Sequence, residues 1–209
     1  MPASSPPRET WRTALVARIR DEALPPEKFS HQARLYALSR ELSASLDQPV
    51  DDDVLFAAAW SHDLGVFLGH RPEDPAQLRE WNSTAYTVQH APALLESCGF
   101  PAARIAAVVE CIRTHEAHAR PETAEGTILR DADLLEQIGA VAVMRTTAKI
   151  AQDTRFITFA DAVASLEQAL RQVPDSLRLP SSQALAAPRV AALRAFLNAL
   201  QAEAQGFLA

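Results

Sequence analysis

Apolar residues along this chain recur at spacings of three and four, which predicts helices from end to end. A first helix, capped by Thr10, runs to about Ala23 and stops at Leu24-Pro25-Pro26. A second, capped by Ser30, places His31, Leu35, Leu38 and Leu42 on one face with Arg34 beside them, so that His31 points inward. The segment from Val54 to Gly65 begins behind Asp51-Asp52-Asp53, an acidic run suited to a helix N-terminus. It is apolar nearly all round, the mark of a central helix, and closes on His62-Asp63. Residues 66–81 hold two prolines, a glycine and mixed charges, and read as a long connection with one helical turn; such loops often act as lids. Asn82 caps a helix to about Ser97, with Tyr86, His90 and Leu94 four apart, and Gly99 ends it. Pro101 opens the next, which carries Ile105, Val108, Ile112 and His115 on one face. Another, from near Thr123, bears Ile128, Asp131, Ala132, Asp133, Leu135 and Ile138. Helices around 140–152, 160–173 and 185–206 follow, punctuated by Pro174, Pro180 and Pro188. No alternation of period two predicts a strand, and no repeat or linker divides the chain. The expectation is an all-α, single-domain helical bundle over residues 9–209, preceded by a disordered tail at 1–8.

Composition narrows the class. At 209 residues and 48% hydrophobic the chain can bury a sizeable core. A net charge of -6 with no basic run argues against polymeric nucleic acid or an anionic membrane as partner. No apolar stretch approaches the roughly 20 residues that span a bilayer, and no leader-like segment opens the chain, so it is expected in the cytoplasm. Cys98 and Cys111 are too few and too far apart for a disulfide framework or a CxxC knuckle, and are expected in the core.

The candidate chemistry lies in His31, His62-Asp63, His90, His115 and the stretch Arg130-Asp131-Ala132-Asp133-Leu134-Leu135-Glu136. A lone histidine on an apolar face is usually a hydrogen-bonded core residue. Here four of six histidines fall at inward positions of four successive helices, with carboxylates in apolar surroundings beside them. Packing alone gives no reason for such convergence, whereas a divalent metal would satisfy these groups together. Periodicity does not choose between Asp131 and Asp133. His70 and His118 are expected in solvent. Thr114-His115-Glu116-Ala117-His118 lacks the four-residue spacing of a zinc-protease HExxH, and that reading is rejected.

His31, His62-Asp63 and Asp133 resemble the H…HD…D signature of the HD-domain superfamily, metal-dependent phosphohydrolases built on a helical bundle. The similarity covers about residues 28–147. Its most telling parts are Ala59-Trp-Ser-His62-Asp63-Leu and Ile128-Leu-Arg-Asp-Ala-Asp133-Leu-Leu-Glu-Gln-Ile-Gly-Ala140. The resemblance selects Asp133 over Asp131 and implies that His31, His62, Asp63 and Asp133 bind one ion. His90 and His115 match the extra histidines of members with a second metal, where Asp63 would bridge the two ions.

The resemblance implies a divalent cofactor, one or two ions per chain (Mn, Fe, Mg, Co or Ni). It also implies hydrolysis of a small phosphate ester or nucleotide by a hydroxide on the ion, with His62, Asp63 and Asp133 at the chemistry. Arg34 and Arg145 look like arginines that neutralise a substrate phosphate, against a plainer role in salt bridges to Asp131 or Glu136. Leu64-Gly-Val-Phe-Leu68 lacks the water-activating carboxylate of one-metal HD nucleotidases. Val66 replaces the lysine that follows the glycine in cyclic-dinucleotide phosphodiesterases. The C-terminal helices are expected to pack on the HD core, and residues 187–203 are similar to a closing helix, although the Thr and Lys motifs that precede it elsewhere are not evident. Two rivals share the ligands: a di-iron oxygenase that cleaves a carbon bond, and a non-catalytic metal or nucleotide sensor. The sequence says nothing of oligomeric state.

Overall fold

A computed structural model describes residues 8–153 and 156–206. The tail expected at 1–8 lies outside these residues except for Arg8, which begins the first helix. Ten α-helices make up the described chain, which holds isolated bridges and no strand. The contacts group the chain into two compact units, one ending at Arg130 and the other beginning at Asp131.

The first unit is arranged around a buried helix. Its elements are α1 (Arg8–Glu22), α2 (Glu27–Ser43), α3 (Asp52–Ser61), a 3-10 turn (Leu64–Val66), α4 (Pro75–Arg79), α5 (Ser83–Ser97), α6 (Ala102–Arg113) and the first half of α7 (Ala124–Leu135). Every residue of α3 from Val54 to Ser61 is buried, and α1, α2, α5 and α6 all pack on it. This is the outcome expected of a helix apolar all round. The Asp51 side chain caps α3 by accepting from the backbone N–H of Asp53 and Val54. Trp11 fixes α1 with edge-on contacts to Phe56 and Phe100, at ring centroids 5.5 and 4.7 Å. The Arg12 guanidinium donates to Tyr36, Asp52 and Asp53, tying α1 to the neighbouring helices.

Two helix starts differ from expectation. Helix α1 begins at Arg8, which places Thr10 inside it. Helix α2 begins at Glu27 rather than behind Ser30, because Pro26 already has helical dihedrals; the Ser30 hydroxyl donates back to the Glu27 carbonyl.

The second unit packs α8 (Ala140–Thr147), α9 (Phe159–Ser176) and α10 (Pro180–Ala204) against one another. Thr158 and Asp161 form a reciprocal capping box at the start of α9. Pro174 and Pro188, expected as breaks, lie within α9 and α10, and Pro180 opens α10 at its first turn, where no N–H is needed. Gly139, at φ +92, precedes α8 in a conformation that glycine adopts without strain. Arg189 of α10 donates to the Leu135 carbonyl at the end of α7, a group that the helix itself leaves without a partner.

Candidate metal centre

Helix α2 presents His31 on the same buried face as Leu35, Leu38 and Leu42, and His31 is 1% exposed. His62 follows the last residue of α3 and is 2% exposed; Asp63 comes next at the mouth of the 3-10 turn, half-buried. The His31 and His62 Nε2 atoms lie 3.7 and 3.6 Å from the two carboxylate oxygens of Asp63. Among the described residues, these three form the one group of histidine, cysteine and carboxylate donors lying together, all within 4.8 Å of one another.

The donor set suits a divalent ion. Separations of 3.6–3.7 Å exceed hydrogen-bond length. They fall inside the roughly 4.2 Å that two ligands can span when each sits about 2.1 Å from a shared ion. The second nitrogen of His62 supports the same reading. Its Nδ1 faces the Ala59 carbonyl at 3.0 Å, and since a carbonyl only accepts, Nδ1 carries a proton; in the neutral ring Nε2 then keeps the lone pair. Donation to a backbone carbonyl is a usual outer-shell partner of a ligating imidazole. His115 has the same arrangement, with Nδ1 at 2.6 Å from the Ile112 carbonyl. The His62 ring contacts His31 on one side, at centroids 5.3 Å apart, and His115 on the other at 5.2 Å.

The remaining candidates are placed differently. His90, expected to face inward, is exposed; its ring stacks on Tyr86 at 3.9 Å and its Nδ1 donates to the Tyr86 carbonyl. The buried face of α5 is instead Thr87, Ala91 and Leu95, one residue further on. Asp131 and Asp133 both lie in the second unit. Asp131 is fully buried, and its Oδ2 accepts from the backbone N–H of Arg178 and Leu179 and from the Ser182 hydroxyl. It therefore anchors the start of α10. Asp133 is half-buried, with a long contact from Gln137 at 3.4 Å. Arg145 pairs with Glu136 at 3.5 Å, the plainer of its two expected roles, and Arg34 donates to Ser30.

His118 is 83% exposed at its side chain, as expected, but His70 is half-buried against Phe67 and Tyr86, with Nε2 3.3 Å from Glu22. Cys111 is a core thiol, pushed by burial up to about 12. Cys98 is only half-buried, which corrects its assignment to the core.

No family model matches the sequence, and no curated protein matches it. Solved structures do. The Lin1889 protein of Listeria innocua superposes with a TM-score of 0.70 at 19% identity, covering 97% of this chain and 99% of its own. YpgQ of Bacillus subtilis, in complex with ADP, gives 0.66 at 19% identity, covering 95% of this chain and 97% of its own. A protein described as a predicted HD superfamily hydrolase, from an uncultured Thermotogales bacterium, gives 0.60 at 22% identity, covering 93% and 91%. The chain shares the all-α fold of these structures, among them the protein described as a predicted HD superfamily hydrolase. No helix among the described residues is long and apolar enough to cross a membrane.

Proposed function

We propose that this protein is a metal-dependent phosphohydrolase of HD type, acting on a small phosphate ester or a nucleotide. The convergence of His31, His62 and Asp63 within 4.8 Å carries the reading. The HD fold and the ADP complex of YpgQ support it. His31 and His62 would offer Nε2 to the ion, and Asp63 its carboxylate. The sequence resemblance adds Asp133 as a further ligand and His90 and His115 as donors to a second ion. A bound divalent ion lowers the pKa of a coordinated water and offsets negative charge on a phosphoryl group. His115 buttresses the His62 ring, and the backbone carbonyls of Ala59 and Ile112 hold both imidazoles in the tautomer with Nδ1 protonated.

Elemental analysis of purified protein, followed by a screen of phosphomonoesters, diesters and nucleotides with Mn, Fe, Mg, Co and Ni, tests the reading directly. Wild type is expected to hold a divalent ion and release phosphate, and His62→Ala to lose both while keeping its helical circular dichroism. Full metal occupancy in His62→Ala would overturn it. His90→Ala and Asp133→Ala, assayed for stoichiometry and affinity respectively, test the two assignments taken from the resemblance.

A further inference from the structure

Both backbone polar groups of Gly65, two residues beyond Asp63, are held by side chains from elsewhere. The Gly65 N–H donates to the Thr87 hydroxyl of α5 at 3.0 Å, and the Gly65 carbonyl accepts from the Trp81 indole N–H at 2.7 Å. The Thr87 hydroxyl in turn donates to the Ser83 carbonyl at 2.8 Å, so its single proton is committed and an oxygen lone pair is left to receive Gly65. The approach is close: a Cβ on Gly65 would fall on the Ser83 carbonyl oxygen, leaving room only for glycine. The clamp is linked to Asp63 through the 3-10 turn, in which the Asp63 and Leu64 carbonyls accept from the N–H of Val66 and Phe67 at 3.0 and 3.2 Å. Thr87 is fully buried. A side-chain hydroxyl and an indole thus hold the backbone of Gly65, two residues from one whose carboxylate sits between two imidazoles.

We infer that Thr87 and Trp81 are positioning residues for the Asp63 carboxylate, acting through the Gly65 backbone, and that they set the affinity of the His31–His62–Asp63 centre for its divalent ion. This rests on the metal-centre reading above. Neither residue touches the ion or substrate. Outer-shell partners of metal ligands are typically worth 10–100-fold in affinity, which sets the expected scale.

The test is Mn2+ affinity, measured by electron paramagnetic resonance of free Mn2+, for wild type, Thr87→Val, Thr87→Ser, Trp81→Phe and His62→Ala, alongside thermal unfolding of each. Thr87→Val is expected to weaken Mn2+ binding about 10-fold or more, Thr87→Ser to restore it because the hydroxyl returns, and Trp81→Phe to weaken it by a similar factor while keeping the ring. Wild-type affinity in a folded Thr87→Val protein overturns the clamp, as does equal weakening in the Val and Ser variants. If Thr87→Val does not fold, Trp81→Phe decides alone. Tight binding by wild type and weak binding by His62→Ala, with both clamp variants unaffected, removes the clamp and leaves the metal centre standing. Absence of Mn2+ binding by wild type removes both.

Discussion

Two acidic residues in the two units face the same physical problem and solve it differently. Asp131 is fully buried and spends one carboxylate oxygen on two backbone amides and a hydroxyl, all within 2.6–2.8 Å. Asp63 is partly exposed and aims its two oxygens at imidazole nitrogens 3.6–3.7 Å away, too far for a hydrogen bond. Short contacts to backbone donors mark a carboxylate whose charge serves the fold. Imidazole nitrogens drawn together at ligand spacing mark one whose surroundings suit a divalent ion. Burial alone does not separate the two cases; the length and identity of the contacts do.

Exchanging one residue at each position is the strongest way to break this contrast. Asp63→Asn is expected to lower Mn2+ affinity more than about 100-fold, beyond the loss typical of an outer-shell partner, with little change in the urea midpoint. Asp131→Asn is expected to cost about 3 kcal/mol of stability, because an amide replaces a charged acceptor shared by three donors; equilibrium urea unfolding measures it. A large metal defect in Asp131→Asn without loss of stability would reverse the two roles. A weaker case of the structural type is the capping box of α9, where Thr158→Ala is expected to cost about 1 kcal/mol in the same unfolding experiment.

The smallest effect concerns pH. Burial pushes the Asp52 carboxyl up, but hydrogen bonds from Arg12 and Tyr36 outweigh it and hold the group below its ordinary value. A depressed native value stabilises the fold above the unfolded pKa of about 4, and that contribution is lost as the pH falls through the native value. The stability gap between wild type and Asp52→Asn should therefore be constant from pH 7 to about 5 and close below about 4. A gap that persists unchanged into acid would show that Asp52 acts through packing rather than charge.

The helical fold and its central α3 were legible from periodicity because a segment apolar on every side has nowhere to go but the interior. The convergence of His31, His62 and Asp63 was legible for a related reason: helical spacing turned the histidines inward, and the HD resemblance grouped them with Asp63. His90 does not take its expected inward position; Tyr86 and His90 are larger than Thr87 and Ala91. The bulkier stripe looked like the core face, yet the buried one is displaced by one residue, about 100° around the helix. The role of Asp131 could not be read locally, since its partners lie 47 to 51 residues further along. Nor could the clamp on Gly65, which depends on Trp81 leaving a long irregular connection beside the residue it holds.

The distance in sequence between Asp131 and its partners also has a consequence for how the molecule is made. At roughly 5–20 residues per second, the stretch from Asp131 to Ser182 takes about 3–10 s to synthesise. Throughout that interval the nascent chain carries a carboxylate whose three partners at the start of α10 do not yet exist. Two backbone amides and a hydroxyl at the start of α10 must be made before the carboxylate can meet them. A ribosome that stalls between these positions would leave the second unit half-made, with Asp131 still short of all three.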